Sequence, residues 1–281
     1  MQAEESLRPV DDLTMVVGID VTHPSPSSAE GSPSIAGVVA NINRNLVQWP
    51  GSVRVQTGRV EMVQGLTEML LERIDLWRKN NKNARPNKMI IYRDGVSEGQ
   101  YRLVLETELP AIQEAFKTRF GAQANWPKLM IIVVGKRHHT RFYPTNRTDA
   151  DSRSCNPLPG TVVDRGVTDN FLWDFYLQAH QGLQGTARPA HYVVIMDEIG
   201  VEQNALERMT HSMCYLFPRA TKAVSYCPAA YNADLICERG REYLYSTMNE
   251  NRSADAVAYN PSTAEWAGGA HPRLRDSMFY L

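Results

Sequence analysis

Three β-patterned runs fall within residues 15–58: MVVGIDVT at 15–22, SIAGVVANI at 34–42 and SVRVQTG at 52–58, with only Pro-, Ser- and Gly-rich turns between them. Connections this short carry no crossover helix, so the runs are expected to pair as an antiparallel meander. After them the period changes. MVQGLTEMLLERIDLWRKN, residues 62–80, sets Leu66, Met69, Leu70, Ile74 and Trp77 at helical spacing. Strand and helix then alternate: a strand at 88–93, a helix from Val104 to Phe120, a strand from Lys128 to Val134, a helical stretch from Phe171 to Ala179 and a strand from His191 to Met196. A helix from Gln203 to Phe217 follows, in which Met209, Met213 and Leu216 form a core stripe. A short apolar stretch from Ala223 to Tyr226 and a helix from Tyr231 to about Tyr245 complete the order.

Strand-strand-strand-helix-strand-helix-strand describes an α/β fold with a mixed sheet flanked by helices, the ribonuclease H type, and excludes a doubly wound all-parallel sheet. With 281 residues and 43% hydrophobic content, the chain has material for a large core. Residues 1–14 are expected to be a linker remnant or the edge of a preceding domain, and 15–281 one domain. Within it the Ala-, Asn-, Ser- and Gly-rich 249–271 reads as a flexible surface loop, and the apolar end of HPRLRDSMFYL as a docked tail. The N-terminal MQAEESLRPVDDL lacks the apolar centre of a signal peptide, and the longest apolar run, LMIIVV at 129–134, is too short to span a bilayer. Cys155, Cys214, Cys227 and Cys237 show no CxxC pair and no metal-ligand spacing. The expectation is therefore a cytoplasmic or nuclear protein with reduced thiols and no membrane partner.

Two acids stand where chemistry is commonly built. Lys88 to Tyr92 is apolar enough for a strand covered on both faces, and it runs straight into Asp94 and then Gly95. The carboxyl edge of such a sheet is where ligands bind, although an Asp before Gly is also an ordinary turn. Asp20, in GIDVTHP, lies near the end of a central strand, where a lone acid is costly unless positive charge meets it. In the inferred order these two strands are neighbours, so Asp20 and Asp94 face each other across one edge. Close carboxylates raise each other's pKa, and a divalent cation removes the conflict. Hard oxygen ligands of this kind suit Mg²⁺ or Mn²⁺ in a two-ion phosphodiester hydrolysis. His23, next to Pro24, reads as a turn residue, because such chemistry needs no side-chain base.

GIDVTHP, PSIAGVVA, VRVQ, IIYRDGVSEGQ, VVGKRHHTRFYP, PGTVVD, GLQGTARPAHY and CPAAYNADLICERGREYL occur in this order over residues 15–245. Together they resemble the PIWI domain of eukaryotic Argonaute proteins. The resemblance implies a guide-directed endoribonuclease that cuts target RNA opposite a small guide RNA and leaves 3′-hydroxyl and 5′-phosphate ends. Asp20 and Asp94 then match two members of the family's catalytic tetrad. Glu61, which alone reads as a first-turn acid of the 62–80 helix, matches the glutamate that the family inserts as a finger. Asp234 takes the fourth position, where many animal relatives have His; an Asp near a helix start also needs no function. The implied metal ligands are Asp20, Asp94 and Asp234, holding two Mg²⁺ or Mn²⁺ ions.

A net charge of −1 gives no global attraction to nucleic acid, so any such partner needs a local patch. KRHHTRFYPTNR at 136–147 supplies one, basic and free of acids. By the resemblance, Lys136, Arg137, His139 and Arg141 line the guide backbone, as do His180, Arg188, Arg219, Lys222, Ser225, Tyr231 and Arg239. Phe217 departs from a Tyr of relatives, which puts one phosphate contact in doubt. The implied partners are a guide RNA, a complementary target RNA, preceding guide-anchoring domains and silencing proteins. Two other readings stay open: an effector that binds the guide-target duplex without cutting it, and an unrelated ribonuclease H-like nuclease or transposase. The second would lack KRHHTR and GLQGTARP.

Overall fold

The computed structural model describes residues 10–28, 31–244 and 269–281. The described strands form one eight-stranded sheet in the order β3-β2-β1-β4-β5-β8-β7-β6. Its members are β1 (Thr14–Thr22), β2 (Ser34–Ala40), β3 (Gly51–Gln56), β4 (Lys88–Asp94), β5 (Lys128–Gly135), β6 (Thr161–Val163), β7 (Trp173–Gln178) and β8 (Ala190–Asp197). The meander appears as expected, with β1, β2 and β3 antiparallel. β1, β4 and β5 run parallel, and β8 returns antiparallel to β5, so the sheet is mixed.

Helices cover both faces. On one side α1 (Leu66–Asn80) and α2 (Leu109–Phe120) pack Met69, Leu70, Ile74, Ile112 and Phe116 against Met15, Val17, Ile19, Met89 and Ile91. On the other, α3 (Gln203–Met213) and α4 (Pro228–Tyr243) pack Leu206, Met209, Ala229, Ala233 and Ile236 against Val16, Ile90, Tyr92 and Ile132. The odd-numbered positions of β1 and β4 thus face one core and the even-numbered positions the other, as strand alternation dictates.

Several boundaries differ from the sequence reading. The stretch Phe171–Ala179 is not helical: Trp173–Gln178 is β7, clamped between β8 and β6. Its side chains from Asp174 onward are all buried, so the near-continuous apolar run carries no period to distinguish the two forms. The three-residue β6 was not anticipated. Helix α1 starts at Leu66, not 62, because side chains occupy the preceding backbone: Gln56 donates to the carbonyls of Val60 and Met62 and accepts from the amide of Gln64. Helix α3 ends four residues short of Phe217, and α4 begins at Pro228, whose fixed φ and missing N–H suit a first turn. A π-helical turn, Val104–Glu108, leads into α2 and turns Glu108 inward to 2% exposure.

The tail docks: Tyr280 is buried and its hydroxyl donates to the Trp49 carbonyl at 2.6 Å. Of the expected N-terminal linker, residues 1–9 lie outside the described residues, while Asp11 forms a turn into β1 and is paired with Lys88 at 2.9 Å. The expected loop at 249–271 lies outside them up to residue 268. Among the described residues no helix is long and apolar enough to cross a membrane. All four cysteines are free thiols.

Candidate active site and nucleic-acid interface

The parallel register of β1 and β4 pairs Ile19 with Arg93, which sets Asp20 beside Asp94 at the carboxyl edge. Both belong to the face that α4 covers. Gly18, on that face of β1, makes the close approach possible: a Cβ there would lie 1.9 Å from the Ala229 carbonyl oxygen. Helix α4 therefore rides directly on β1 and presents Asp234 to the same edge. Burial, then the Asp20 charge, pushes Asp94 up to about 8 and Asp234 up to about 7. Burial likewise raises Asp20, with the nearby Arg93 opposing it.

Glu61 arrives from the opposite face. It lies in the loop before α1, and it is held on two sides. His23 Nε2 is 2.7 Å from Glu61 Oε2, and Arg93 Nη1 is 3.0 Å from Glu61 Oε1. His23 is itself fixed through Nδ1 to Ser34 Oγ at 2.7 Å. It is thus more than the turn residue expected from the sequence. Arg93 is fully buried and also donates Nη2 to the Glu61 carbonyl at 2.7 Å and Nη2 to Glu108 at 2.9 Å. Burial alone would lower its pKa, but Glu108, Glu61 and Asp20 reverse the sign and keep it charged. Sequence reasoning missed Arg93 and Glu108. Their trace was present, since a cation inside an apolar strand implies a buried acid to meet it.

Gly95 closes the floor at φ 90, a left-handed conformation suited to glycine. A Cβ on it would stand 3.1 Å from both Asp20 Oδ1 and Glu61 Oε1, so its absence leaves open the space between those carboxylates. Oxygen-only donors around such a space fit a hard divalent cation. Among the described residues, no three acids, histidines or cysteines stand close enough to grip an ion as they are.

The basic residues gather beside this edge unevenly. Lys136 follows β5, with its ammonium 5.3 Å from the centre of the Tyr226 ring; burial, then Arg188, brings its pKa down to about 8. His180 is pushed down to about 4 by burial and by Lys136, which leaves it neutral at pH 7. Arg188 reaches the Lys136 carbonyl at 3.3 Å, and Lys222 donates to Gln181 at 3.0 Å, so these four segments share one surface. Tyr231 packs against Phe217 and Tyr226 on that side, and Ser225 is half-buried next to it in the chain. Arg137, His139 and Arg219 are exposed. Arg141 is turned inward onto the His138 and Thr140 carbonyls, and Arg239 reaches the Tyr280 carbonyl at 3.5 Å. In these bonds both guanidiniums are engaged by carbonyls of the protein itself.

Comparison with known proteins identifies the family and the fold. The model of the Piwi domain family matches residues 2–245. Protein argonaute 2 of Oryza sativa subsp. japonica is 39% identical over 276 residues, covering 95% of this chain and 26% of that protein. A structure of the C-terminal lobe of a budding yeast Argonaute superposes with a TM-score of 0.85 at 28% identity, covering 100% of this chain and 57% of that one. A Kluyveromyces polysporus Argonaute structure with a guide RNA gives 0.84 at 29% identity, covering 100% and 32%. The chain therefore spans about a quarter of the length of the rice relative. The mixed sheet flanked by helices is the ribonuclease H-like arrangement of these lobes.

Proposed function

Because the chain belongs to the Piwi domain family, we propose that it is the cutting domain of a guide-RNA-directed endoribonuclease of RNA silencing, acting in the cytoplasm or nucleus. The observation that carries this reading is the meeting of Asp20, Asp94 and Asp234 at one sheet edge, with Glu61 brought to them from the other face by Arg93 and His23. Asp20, Asp94 and Asp234 would hold two Mg²⁺ or Mn²⁺ ions. When bound, the ions supply the positive charge that acidifies the attacking water and stabilises the leaving oxygen.

The chain's own residues do the rest. Arg93 takes Glu61 through both its side chain and its carbonyl, so the acid is delivered at a fixed angle and not as a free arm. Lys136, Arg137, Arg188 and Lys222 offer charge to the backbone of a guide, and His180, neutral at pH 7, offers it a hydrogen bond. Contacts of this kind position a strand without reading its sequence, which suits a protein whose target is chosen by base pairing. The guide RNA in the Kluyveromyces polysporus Argonaute structure supports an RNA partner for this chain. Complementary target RNA, guide-anchoring domains and silencing proteins complete the proposed assembly.

The test is cleavage of a guide-paired, end-labelled RNA by the full-length protein in Mg²⁺, beside Asp94→Ala. A single cut with 3′-hydroxyl and 5′-phosphate ends, lost in the variant, is expected. Tight duplex binding with no cut by either protein would replace this reading with the non-cleaving effector.

A further inference from the structure

Tyr176 lies on β7 with Asp174, on the face opposite Phe175 and Leu177, which pack into the core beneath α3 and α4. Its ring is stacked on that of His191, its cross-strand partner on β8, with centroids 4.1 Å apart and an angle of 4° between the planes. His191 is held in turn: its Nε2 is 2.6 Å from Oδ2 of Asp174, whose other oxygen accepts the Asp169 amide at 2.8 Å. Both Asp174 and Tyr176 are buried. Carboxylate, imidazole and phenol thus form one fixed tier on the sheet.

Two rings of the basic segment stand on this tier. His138 meets Tyr176 edge-on at 5.3 Å, and Phe142 does so at 5.4 Å. Residues 136–144 form neither strand nor helix, so no backbone ladder sets their direction. The seated rings do, together with a reciprocal pair of bonds. His138 donates Nε2 to the Pro189 carbonyl at 3.0 Å, and Arg188 Nη1 donates to the Lys136 carbonyl at 3.3 Å, so the segment and the entry to β8 clasp each other. Arg141 is spent on the His138 and Thr140 carbonyls. Arg137 and His139, on either side of the seated His138, are left facing solvent. A cation on a chain already held in place loses less freedom when it meets a phosphate than one on a free loop.

We propose that Tyr176 is a positioning residue for RNA binding: by seating His138 and Phe142 it fixes the segment from which Arg137 and His139 reach a phosphate backbone. This rests on the RNA-binding reading above.

The experiment measures binding of a labelled guide RNA paired to its target by the full-length protein, across a salt series. One charge-assisted contact is worth about tenfold in affinity, and one phosphate contact changes the salt slope by about one. Tyr176→Leu, which keeps apolar volume but no ring, should weaken binding about tenfold and flatten the slope by about one. Tyr176→Phe, which keeps the ring, should match the parent in both. A role in folding alone would lower the melting temperature of Tyr176→Leu and leave the slope as it is. With Arg137→Ala and His139→Ala already in place, Tyr176→Leu should add less than about twofold. His138→Ala, which removes a seated ring from an irregular segment, should repeat the loss, and it serves as the second variant if Tyr176→Leu folds poorly. For the variant that folds, an affinity within about twofold of the parent with an unchanged slope, or an equal loss in the Arg137→Ala, His139→Ala background, overturns the role of Tyr176. The same loss in Tyr176→Phe as in Tyr176→Leu does so too. An Arg137→Ala, His139→Ala protein that binds as tightly as the parent overturns the RNA-facing reading of this segment and the inference with it.

Discussion

Glu108 touches no candidate ligand, yet its removal should be among the most damaging substitutions in the domain. It is 2% exposed and faces a guanidinium that is fully buried. Arg93 gives it Nε at 3.0 Å and Nη2 at 2.9 Å, and the Val63 amide adds a third donor at 3.0 Å. Glu108→Ala leaves a buried cation with Glu61 and, less directly, Asp20 to balance it, and orphans the Val63 N–H. Breaking a buried pair from one side costs about 3–5 kcal/mol. The orphaned amide belongs to the same network, so its cost does not add in full, and about 4 kcal/mol is the expected loss. At about 2–4 °C per kcal/mol for a chain of this size, thermal unfolding should fall by roughly 10 °C. The companion variant is Arg93→Met with Glu108→Leu, which replaces the pair by apolar volume. It should regain part of the lost melting temperature, because no buried guanidinium is left without its acid, while Glu61 and Asp20 lose Arg93 as a counter-charge. Cleavage should stay lost in it, since Glu61 keeps His23 but loses the bonds to its Oε1 and its carbonyl. A melting point for Glu108→Ala within about 2 °C of the parent, or a double variant no more stable than the single one, would refute the reasoning.

Three further outcomes follow from the packing and the loops. Gly18→Ala forces a Cβ to 1.9 Å from the Ala229 carbonyl, so it should cost about 3 kcal/mol or more by chemical denaturation, whereas Gly99→Ala, with nothing within 4 Å, should stay within about 0.5 kcal/mol. Tyr280→Phe strands the buried Trp49 carbonyl and should cost about 1–3 kcal/mol in the same assay. Asp151 is held down to about 2 by the Ser154 amide, the Gln181 side chain and the Arg153 amide. A carboxylate depressed in the folded state stabilises above its unfolded pKa and loses that effect as pH falls through the folded value. The gap in melting temperature between the parent and Asp151→Asn should therefore be full above about pH 4 and close toward pH 2; a gap that persists at pH 2 would count against it.

How far the sequence carried differs from residue to residue. The pairing of Asp20 with Asp94 was legible, because short connections force the meander and the next parallel strand must lie against β1. Glu61 was not: apolar spacing runs into α1 without a break, and only the use of backbone groups by Gln56 and Glu108 keeps residues 61–65 out of the helix. Its place came from the resemblance. The segment that became β7 failed for the opposite reason, since a strand buried on both faces shows no alternation to read. Arg93 left a trace, a charge in an apolar run, but its partners lie 32 and 15 residues away and no local rule names them.

The sheet explains why the four acids do not share one support. Asp20 and Asp94 occupy even positions, on the face covered by α4, and Asp234 is set by that helix through the Gly18 contact. Arg93 occupies an odd position and extends into the other face, among α1, α2 and Glu108, and from there it holds Glu61. Each core therefore positions a different part of the site. Loosening the α4 side should first weaken ion binding through Asp234, whereas loosening the α2 side should first release Glu61 and leave the three aspartates in place. Mn²⁺ affinity and cleavage rate would then separate in Gly18→Ala and Glu108→Ala: the first should lose both, and the second should keep the affinity and lose the rate.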